Sequence, residues 1–199
     1  MIATETRTRF EDARRAMLDS QLRTSGVNEP FVLARMGVVP REDFVPEELR
    51  AAAYADRALA LPGGGALPAP LFHGLLLTEA RPVAEDRAIV VDGGSGYLPA
   101  LLEPIVAAME VVSADDAAAG RIASHDASLL VIDGAIEHLP EALSKRLPEG
   151  ARIVTGLVER GVTRLAAGRK VGDIPGLVAL AETGTPRLPA FDRKTGWSF

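Results

Sequence analysis

The first third of the chain has an apolar pattern that predicts helices. Five apolar residues recur at spacings near three and four, as on one helical face: Phe10, Ala13, Met17, Leu18 and Leu22. Gly26 is suited to end this helix, because glycine readily adopts the left-handed backbone that follows many helices. Asn28 can then cap a second helix, which Pro40 ends, and residues 45–49 open a third helix with acidic residues in its first turn.

The rest of the chain alternates between short apolar runs and helical stretches. Residues 59–70 are rich in glycine and proline and predict a loop, and residues 71–80 have a helical pattern. Four apolar runs predict strands buried on both faces: residues 88–91, 109–112, 129–132 and 152–155. Further elements are predicted as helices at residues 97–108 and 139–147 and as antiparallel strands at residues 163–167 and 176–181. This alternation favours an open, mostly parallel α/β sheet.

Composition narrows the class of protein. The chain has 199 residues, 47% of them hydrophobic and 25% charged, which is typical of a globular protein. A net charge of −5 argues against a nucleic-acid-coating surface or a polybasic membrane patch. The chain has no cysteine, which excludes disulfides and a cysteine nucleophile. The charged start has no secretory signal pattern and no long apolar stretch follows, so we expect a cytoplasmic protein.

A glycine-rich turn follows the first predicted strand of the sheet. It consists of Asp92, Gly93, Gly94, Ser95 and Gly96. Glycine lets a backbone approach a ligand closely, and Asp115, after the next strand, is placed to accept hydrogen bonds from a ribose. These features suggest a nucleoside-containing cofactor. A tight strand–helix turn with a solvated aspartate nearby explains them equally well.

The histidines, Ser95 and Asp133 are further candidates for a chemical role. The three histidines have no metal-ligand spacing, and His73, on an apolar helix, is best explained as a hydrogen-bonded interior residue. Ser95 lacks the Gly-x-Ser-x-Gly context of a hydrolase nucleophile, because Tyr97 stands where the last glycine belongs. Asp133 follows the third strand, where it could contact a ligand amine or cap the next helix.

Several segments resemble the protein-L-isoaspartate O-methyltransferase family. They are residues 17–23, 38–49 (VVPREDFVPEEL), 53–56, 94–97, Asp115, 125–150 and 188–199, so the resemblance extends over most of the chain, from residue 17 to residue 199. The resemblance implies a Rossmann-like fold and a bound S-adenosyl-L-methionine (SAM). It also implies methyl transfer to isoaspartyl residues of damaged proteins, a repair activity. By the same resemblance, the cofactor-binding residues are Asp92 and the glycine turn, with Asp115 on the ribose.

The chain departs from the family pattern at four places. The glycine turn is about two residues short, and Pro68 stands where the family has a serine that contacts the reacting carboxylate. Only eleven positions separate Asp115 from Asp126, where a complete fold needs on the order of 35 residues for a double crossover. The family's glutamine after the fifth strand has no counterpart in residues 159–163. Catalytic residues therefore stay unassigned, and we expect SAM to bind weakly or not at all.

These observations predict an α/β, Rossmann-like methyltransferase fold with an abbreviated, mostly parallel sheet. Residues 1–70 are expected to form a helical extension and loop, and residues 71–199 the methyltransferase domain. We expect an isoaspartyl methyltransferase-like protein with reduced or lost activity. The alternative is a pseudoenzyme, a non-catalytic binding or assembly module. The missing strand would leave residues 109–112 at the sheet edge, so we expect a homodimer or a cover from residues 117–122 or the N-terminal helices.

Overall fold

The computed structural model describes residues 2–172 and 174–193 and is built around a six-stranded sheet. Its strands are β3 (Arg87–Asp92), β4 (Ala108–Ser113), β5 (Leu129–Ile136), β6 (Arg152–Glu159), β7 (Val162–Val171) and β8 (Ile174–Glu182). The strand order is β4-β3-β5-β6-β7-β8. The first four strands in this order are parallel, and β7 and β8 are antiparallel additions. The predicted mostly parallel sheet and its antiparallel end are confirmed.

The segment before the sheet is helical, as predicted. Helix α1 (Ile2–Met17) continues as one turn of π-helix, and the helical stretch ends at Gly26 with φ of 89°. Helix α2 (Pro30–Val38) starts with proline in its first turn, and Glu29 rather than Asn28 occupies the capping position. The predicted Asn28 cap is therefore wrong, because the proline sets the helix start one residue later.

The predicted third helix and the predicted loop both differ in detail from the structure. In place of the α-helix predicted from residue 45, the chain forms a short 3₁₀ helix at Glu47–Ala52, and another 3₁₀ helix precedes it at Arg41–Phe44. The glycine-rich segment contains a small hairpin of β1 (Leu59–Ala60) and β2 (Ala66–Leu67) rather than a plain loop. Such short strands carry too few residues for their alternation to be read from sequence.

The helices that flank the sheet are short apart from the first of them. They are α3 (Pro70–Ala80), α4 (Tyr97–Leu102), α5 (Ala114–Ala118) and α6 (Glu141–Ser144). Helix α3 agrees with the prediction, whereas α4 ends six residues before the predicted boundary at residue 108. Pro104 explains the early end, because its nitrogen cannot donate the next helical hydrogen bond.

The sheet separates two hydrophobic clusters. One cluster combines the N-terminal helices and α3 with one face of the sheet, on which Val90 and Val131 lie. The other lies on the opposite face, where Val91 and Ile132 pack with residues such as Leu143. The first cluster contains residues from both sides of position 70, so the division at that position stays a prediction.

Strand β4 is the edge of the sheet. Residues 114–128, which link β4 to β5, are fully described and contain helix α5 but no strand. The prediction that the strand beyond residues 109–112 is missing is therefore confirmed. In the described part of the chain, no helix is long and apolar enough to cross a membrane. Residues 194–199, which contribute to the sequence resemblance, lie outside the described residues.

Candidate functional site

Two aspartates stand side by side where β3 and β5 end their pairing. The last paired residues of these parallel strands are Val91 and Ile132, and each is followed by an aspartate, Asp92 or Asp133. Carboxyl ends of neighbouring parallel strands are the usual ligand-binding edge of an open α/β sheet. The fold therefore brings a residue that the sequence predicted as cofactor-binding next to one whose role the sequence left open.

The glycine turn folds around the carboxylate of Asp92. One carboxylate oxygen accepts the backbone N–H of Gly94 at 3.1 Å, and the other accepts that of Gly96 at 2.9 Å. The hydroxyl oxygen of Ser95 accepts a hydrogen bond from the N–H of Tyr97 at 3.2 Å and so also stabilises the turn. Gly93 has no room for a side chain, because a Cβ there would overlap the carbonyl oxygen of Asp133. Asp92 thus holds a tight strand–helix turn, which both the cofactor interpretation and the alternative interpretation expect.

Asp133 belongs to a buried chain of three polar side chains. Its Oδ1 lies 2.8 Å from Nε2 of His73, and Nδ1 of His73 lies 3.1 Å from Nη1 of Arg41. Arginine can only donate, so Nδ1 accepts and Nε2 carries the hydrogen that is donated to Asp133. All three side chains are buried. A neutral imidazole therefore bridges a buried cation and a buried carboxylate.

Arg41 is anchored by more than the histidine. Its Nε donates to the carbonyl of Ala53 at 2.8 Å, and Nη2 donates to the carbonyl of Pro68 at 2.6 Å. The guanidinium carbon lies 4.8 Å from the centre of the Tyr97 ring, within the range of a cation–π contact. These contacts compensate a charge that would otherwise be costly to bury.

Burial governs the titration of this group of residues. It lowers the pKa of His73, which keeps the imidazole neutral, although the nearby Asp133 opposes the shift. Burial also raises the pKa of Asp92, and the negative charge of Asp133 adds to the shift against the two backbone hydrogen bonds. The phenol of Tyr97 is buried, which raises its pKa to about 12.

Two buried oxygens of this site form no hydrogen bond with any described residue: the phenol oxygen of Tyr97 and Oδ2 of Asp133. Oδ2 of Asp133 is buried and forms no hydrogen bond with any described residue. Buried carboxylate oxygens are nearly always hydrogen-bonded, because the unpaired group loses its hydration without compensation. The prediction that Asp133 could cap the following helix is wrong, since Pro140 occupies the position before α6. The prediction that Asp133 could contact a ligand amine stays open.

The hairpin of β1 and β2 touches the glycine turn. We call residues 61–66 of this hairpin the strap. The N–H of Ala66 donates to the carbonyl of Gly93 at 2.9 Å, and a Cβ at Gly94 would lie only 2.9 Å from Cα of Gly65. The strap therefore occupies one side of the turn and takes up a carbonyl that a ligand could otherwise use.

The remaining predicted site residues lie in different settings. Asp115 is exposed in the first turn of α5, and its carboxylate forms no ion pair or hydrogen bond among the described residues. Pro68 is buried and offers only its carbonyl, which Arg41 already uses. Asp115 is thus available to a ligand, whereas Pro68 supplies no donor.

Sequence reasoning missed Arg41 as a site residue and the pairing of His73 with Asp133. Arg41 was part of a recognisable motif, but nothing in its local sequence indicates burial. Its partners are 12, 27 and 32 residues away along the chain, so only the tertiary fold identifies them.

Sequence comparisons relate this chain to known proteins. The family model for protein-L-isoaspartate(D-aspartate) O-methyltransferase matches residues 13–127. A protein-L-isoaspartate O-methyltransferase 1 of Rhodopseudomonas palustris is 30% identical over 173 residues, covering 74% of this chain and 70% of that protein. A protein-L-isoaspartate O-methyltransferase of Roseiflexus sp. is 38% identical over 112 residues, which is 56% of this chain. That match spans about half, 51%, of the Roseiflexus protein.

Solved structures agree with this relation at the level of the fold. A protein-L-isoaspartate O-methyltransferase of Plasmodium falciparum, crystallised with S-adenosyl-L-homocysteine, superposes with a TM-score of 0.69 at 16% identity. The superposition covers 91% of this chain and 98% of the other. A second protein-L-isoaspartate O-methyltransferase gives a TM-score of 0.70 at 15% identity and covers 88% of this chain and 65% of the other. These likenesses establish a Rossmann-like methyltransferase fold.

Proposed function

Because the chain belongs to the protein-L-isoaspartate O-methyltransferase family, we propose that it is a SAM-dependent carboxyl methyltransferase of isoaspartyl proteins with much reduced activity. The family match supports the reaction type and the substrate class. The proposed reduction in activity has two grounds in the site. Pro68 replaces the serine whose hydroxyl would orient the acceptor carboxylate, and the cofactor pocket lacks the strand beyond β4.

The residues present fit the cofactor in part. The aspartates Asp92 and Asp133 give the sheet edge an anionic character that suits a cationic ligand, and the free carboxylate of Asp115 suits a ribose diol. The adenine has less support, because β4 is the edge strand and residues 114–128 add no further strand beside it. Burial of apolar surface contributes about 25 cal/mol per Å² to binding. An adenine that stays partly exposed loses this contribution, and we expect the affinity for the cofactor to fall by about a hundredfold.

The protein's own contribution to methyl transfer is positioning. SAM supplies an electrophilic methyl group on a sulfonium centre. Asp92 shapes the turn through its two backbone hydrogen bonds, and Asp115 is placed to orient the ribose. Alignment of an acceptor carboxylate with the methyl group is the main means by which such an enzyme accelerates the reaction. The chain lacks a side-chain donor for this alignment at Pro68.

Pro68 is the observation that carries the proposed loss of rate. The residue is buried, its ring has no donor, and its carbonyl is already bonded to Arg41 at 2.6 Å. A missing orienting hydrogen bond in a methyl-transfer site costs roughly tenfold to a hundredfold in rate.

The alternative is a non-catalytic binding or assembly module that has kept the methyltransferase fold. The contact of the strap with the glycine turn favours it, because the carbonyl of Gly93 is already bonded within the chain. In that case cofactor binding would be absent rather than weak, and this difference separates the two proposals.

Transfer of a labelled methyl group from SAM to an isoaspartyl peptide tests the proposal. We expect slow transfer that depends on the isoaspartyl residue and is absent with the matching aspartyl peptide. Pro68→Ser should raise the rate at least severalfold, and Pro189→Ser, in a 3₁₀ helix near the end of the described chain, serves as a matched control. A Pro68→Ser variant with no transfer at all would favour the non-catalytic module.

A further inference from the structure

The buried cluster around Asp133 has an excess of negative charge. Arg41 contributes one positive charge, Asp92 and Asp133 contribute two negative charges, and His73 is neutral in the bridging tautomer. The backbone N–H groups of Gly94 and Gly96 offset part of the charge on Asp92, but no described group forms a hydrogen bond with Oδ2 of Asp133. One added monovalent cation would balance the cluster.

The scaffold holds Asp133 rigidly in place. His73 donates to Oδ1 at 2.8 Å, and Arg41 fixes the other side of the imidazole at 3.1 Å. Arg41 is itself fixed by the carbonyls of Ala53 and Pro68. A carboxylate oriented by two further buried side chains, with one oxygen left unbonded, is the arrangement expected of a prepared acceptor rather than of a core residue.

We propose that Oδ2 of Asp133 is the acceptor for the primary ammonium group of an amino-acid-type ligand. This proposal rests on the proposed function, because SAM and its product S-adenosylhomocysteine both carry such an ammonium group. In this arrangement Asp133 binds the amino-acid end of the ligand, and Asp115 binds its ribose. His73 and Arg41 are positioning residues that act through Asp133.

The strap lies against the glycine turn next to the backbone of Asp133. Gly93 lies directly against the carbonyl of Asp133, and Ala66 of the strap is bonded to the carbonyl of Gly93. Gly94 remains exposed beside the contact with Gly65, so the amino-acid end of a ligand can approach the turn from there.

The test compares ligands with and without the ammonium group by perturbation of amide chemical shifts, which detects millimolar affinities. The probes are S-adenosylhomocysteine, 5′-methylthioadenosine, which lacks the amino-acid part, and free L-methionine. We expect the wild-type protein to bind S-adenosylhomocysteine about 10- to 100-fold more tightly than 5′-methylthioadenosine, the range for one charged hydrogen bond. L-Methionine should shift the amide signals of Gly93 and Gly94.

Asp133→Asn removes the charge and keeps an oxygen that can accept from His73. We expect this variant to bind the two nucleosides with equal affinity and to lose the response to L-methionine. Asp126→Asn, at an exposed aspartate paired with Arg87, is the matched control and should behave as wild type. If Asp133→Asn does not fold, the wild-type protein still tests the proposal through a deaminated S-adenosylhomocysteine, which should bind at least tenfold more weakly than the parent.

The outcomes separate this inference from the proposed function. An Asp133→Asn variant that keeps the preference for S-adenosylhomocysteine, or equal binding of the deaminated analogue by the wild type, would overturn the role of Asp133. Binding of L-methionine through Asp133 with no binding of either nucleoside would support the ammonium site and contradict the proposed methyltransferase. No response to any of the three probes would contradict both.

Discussion

At the scale of single residues, the most consequential feature is the neutral histidine between two buried charges. His73 receives a hydrogen bond from Arg41 and donates one to Asp133, so the cation and the carboxylate interact through a ring rather than in direct contact. Burial of an unpaired charge is strongly unfavourable, and the histidine makes burial of both charges tolerable. The stability of this site therefore depends on a residue that itself carries no charge.

Replacing His73 should destabilise the protein far more than replacing an exposed histidine. His73→Ala leaves Arg41 and Asp133 buried without their shared partner, for which we expect a loss of about 3–5 kcal/mol in the free energy of unfolding. His125→Ala, at an exposed position, is the matched control and should change this free energy by less than about 0.5 kcal/mol. Chemical denaturation measures both, and equal effects of the two variants would show that the bridge is energetically unimportant.

The same histidine predicts how stability depends on pH. Burial lowers the pKa of His73 in the folded state, so below a pH of about 6.5 the unfolded chain takes up a proton that the folded chain does not. The free energy of unfolding should fall as the pH is lowered through this range, by up to about 1.4 kcal/mol per pH unit. The difference between wild type and His73→Ala isolates this slope, and a difference that does not vary between pH 5 and 7 would contradict it.

At the scale of the elements, the strap is the part of the site most sensitive to a small steric change. A Cβ at Gly65 would lie 3.0 Å from the carbonyl oxygen of Gly93 and 3.1 Å from Cα of Gly94, which is tighter than normal contact. Gly65→Val should therefore push the strap off the turn and break the hydrogen bond from Ala66 to Gly93.

Hydrogen exchange at the amide of Ala66 measures this displacement. We expect exchange in Gly65→Val to be at least about tenfold faster than in the wild type, because the amide loses its only described acceptor. Ala60→Val, at an exposed position of the same hairpin, is the matched control and should leave the exchange rate unchanged. Unaltered protection in Gly65→Val would mean that the strap is not held by this contact.

The sequence predicts long elements and their order well, because hydrophobic periodicity is a local signal. The four parallel strands of the main sheet lie where apolar runs place them, helix α3 lies where its helical pattern places it, and β7 and β8 include the two predicted antiparallel strands. The two-residue strands of the β1–β2 hairpin and the early end of α4 were not predicted. The pairing of Arg41 with His73 could not be predicted from the sequence, because these residues are 32 positions apart and meet only in the folded chain.

At the scale of the whole molecule, the main feature is the outer edge of β4, which is free to pair with a strand of another chain. Within the described chain, no strand pairs with the outer side of β4, and the link to β5 reaches it through hydrogen bonds of Ala123 and Ser124 to the carboxylate of Glu110. Val111 of this strand is 47% exposed. Unpaired backbone groups beside an exposed apolar side chain favour association of edges.

We expect a homodimer that pairs through β4. Light scattering should give twice the chain mass of 21.0 kDa, and Val111→Lys should return the protein to a monomer. Val178→Lys, at an exposed position of the opposite edge strand β8, should remain a dimer. A wild-type protein that is monomeric at high micromolar concentration would contradict this arrangement.

The central claim is that the family fold persists here with a weakened cofactor site, and affinity for S-adenosylhomocysteine tests it most directly. Calorimetry on this protein and on the Rhodopseudomonas palustris relative, under identical conditions, should give an affinity about a hundredfold lower for this chain, as expected from the missing adenine support. An affinity within tenfold of the relative's would contradict the claim, because the pocket would then be complete despite the missing strand.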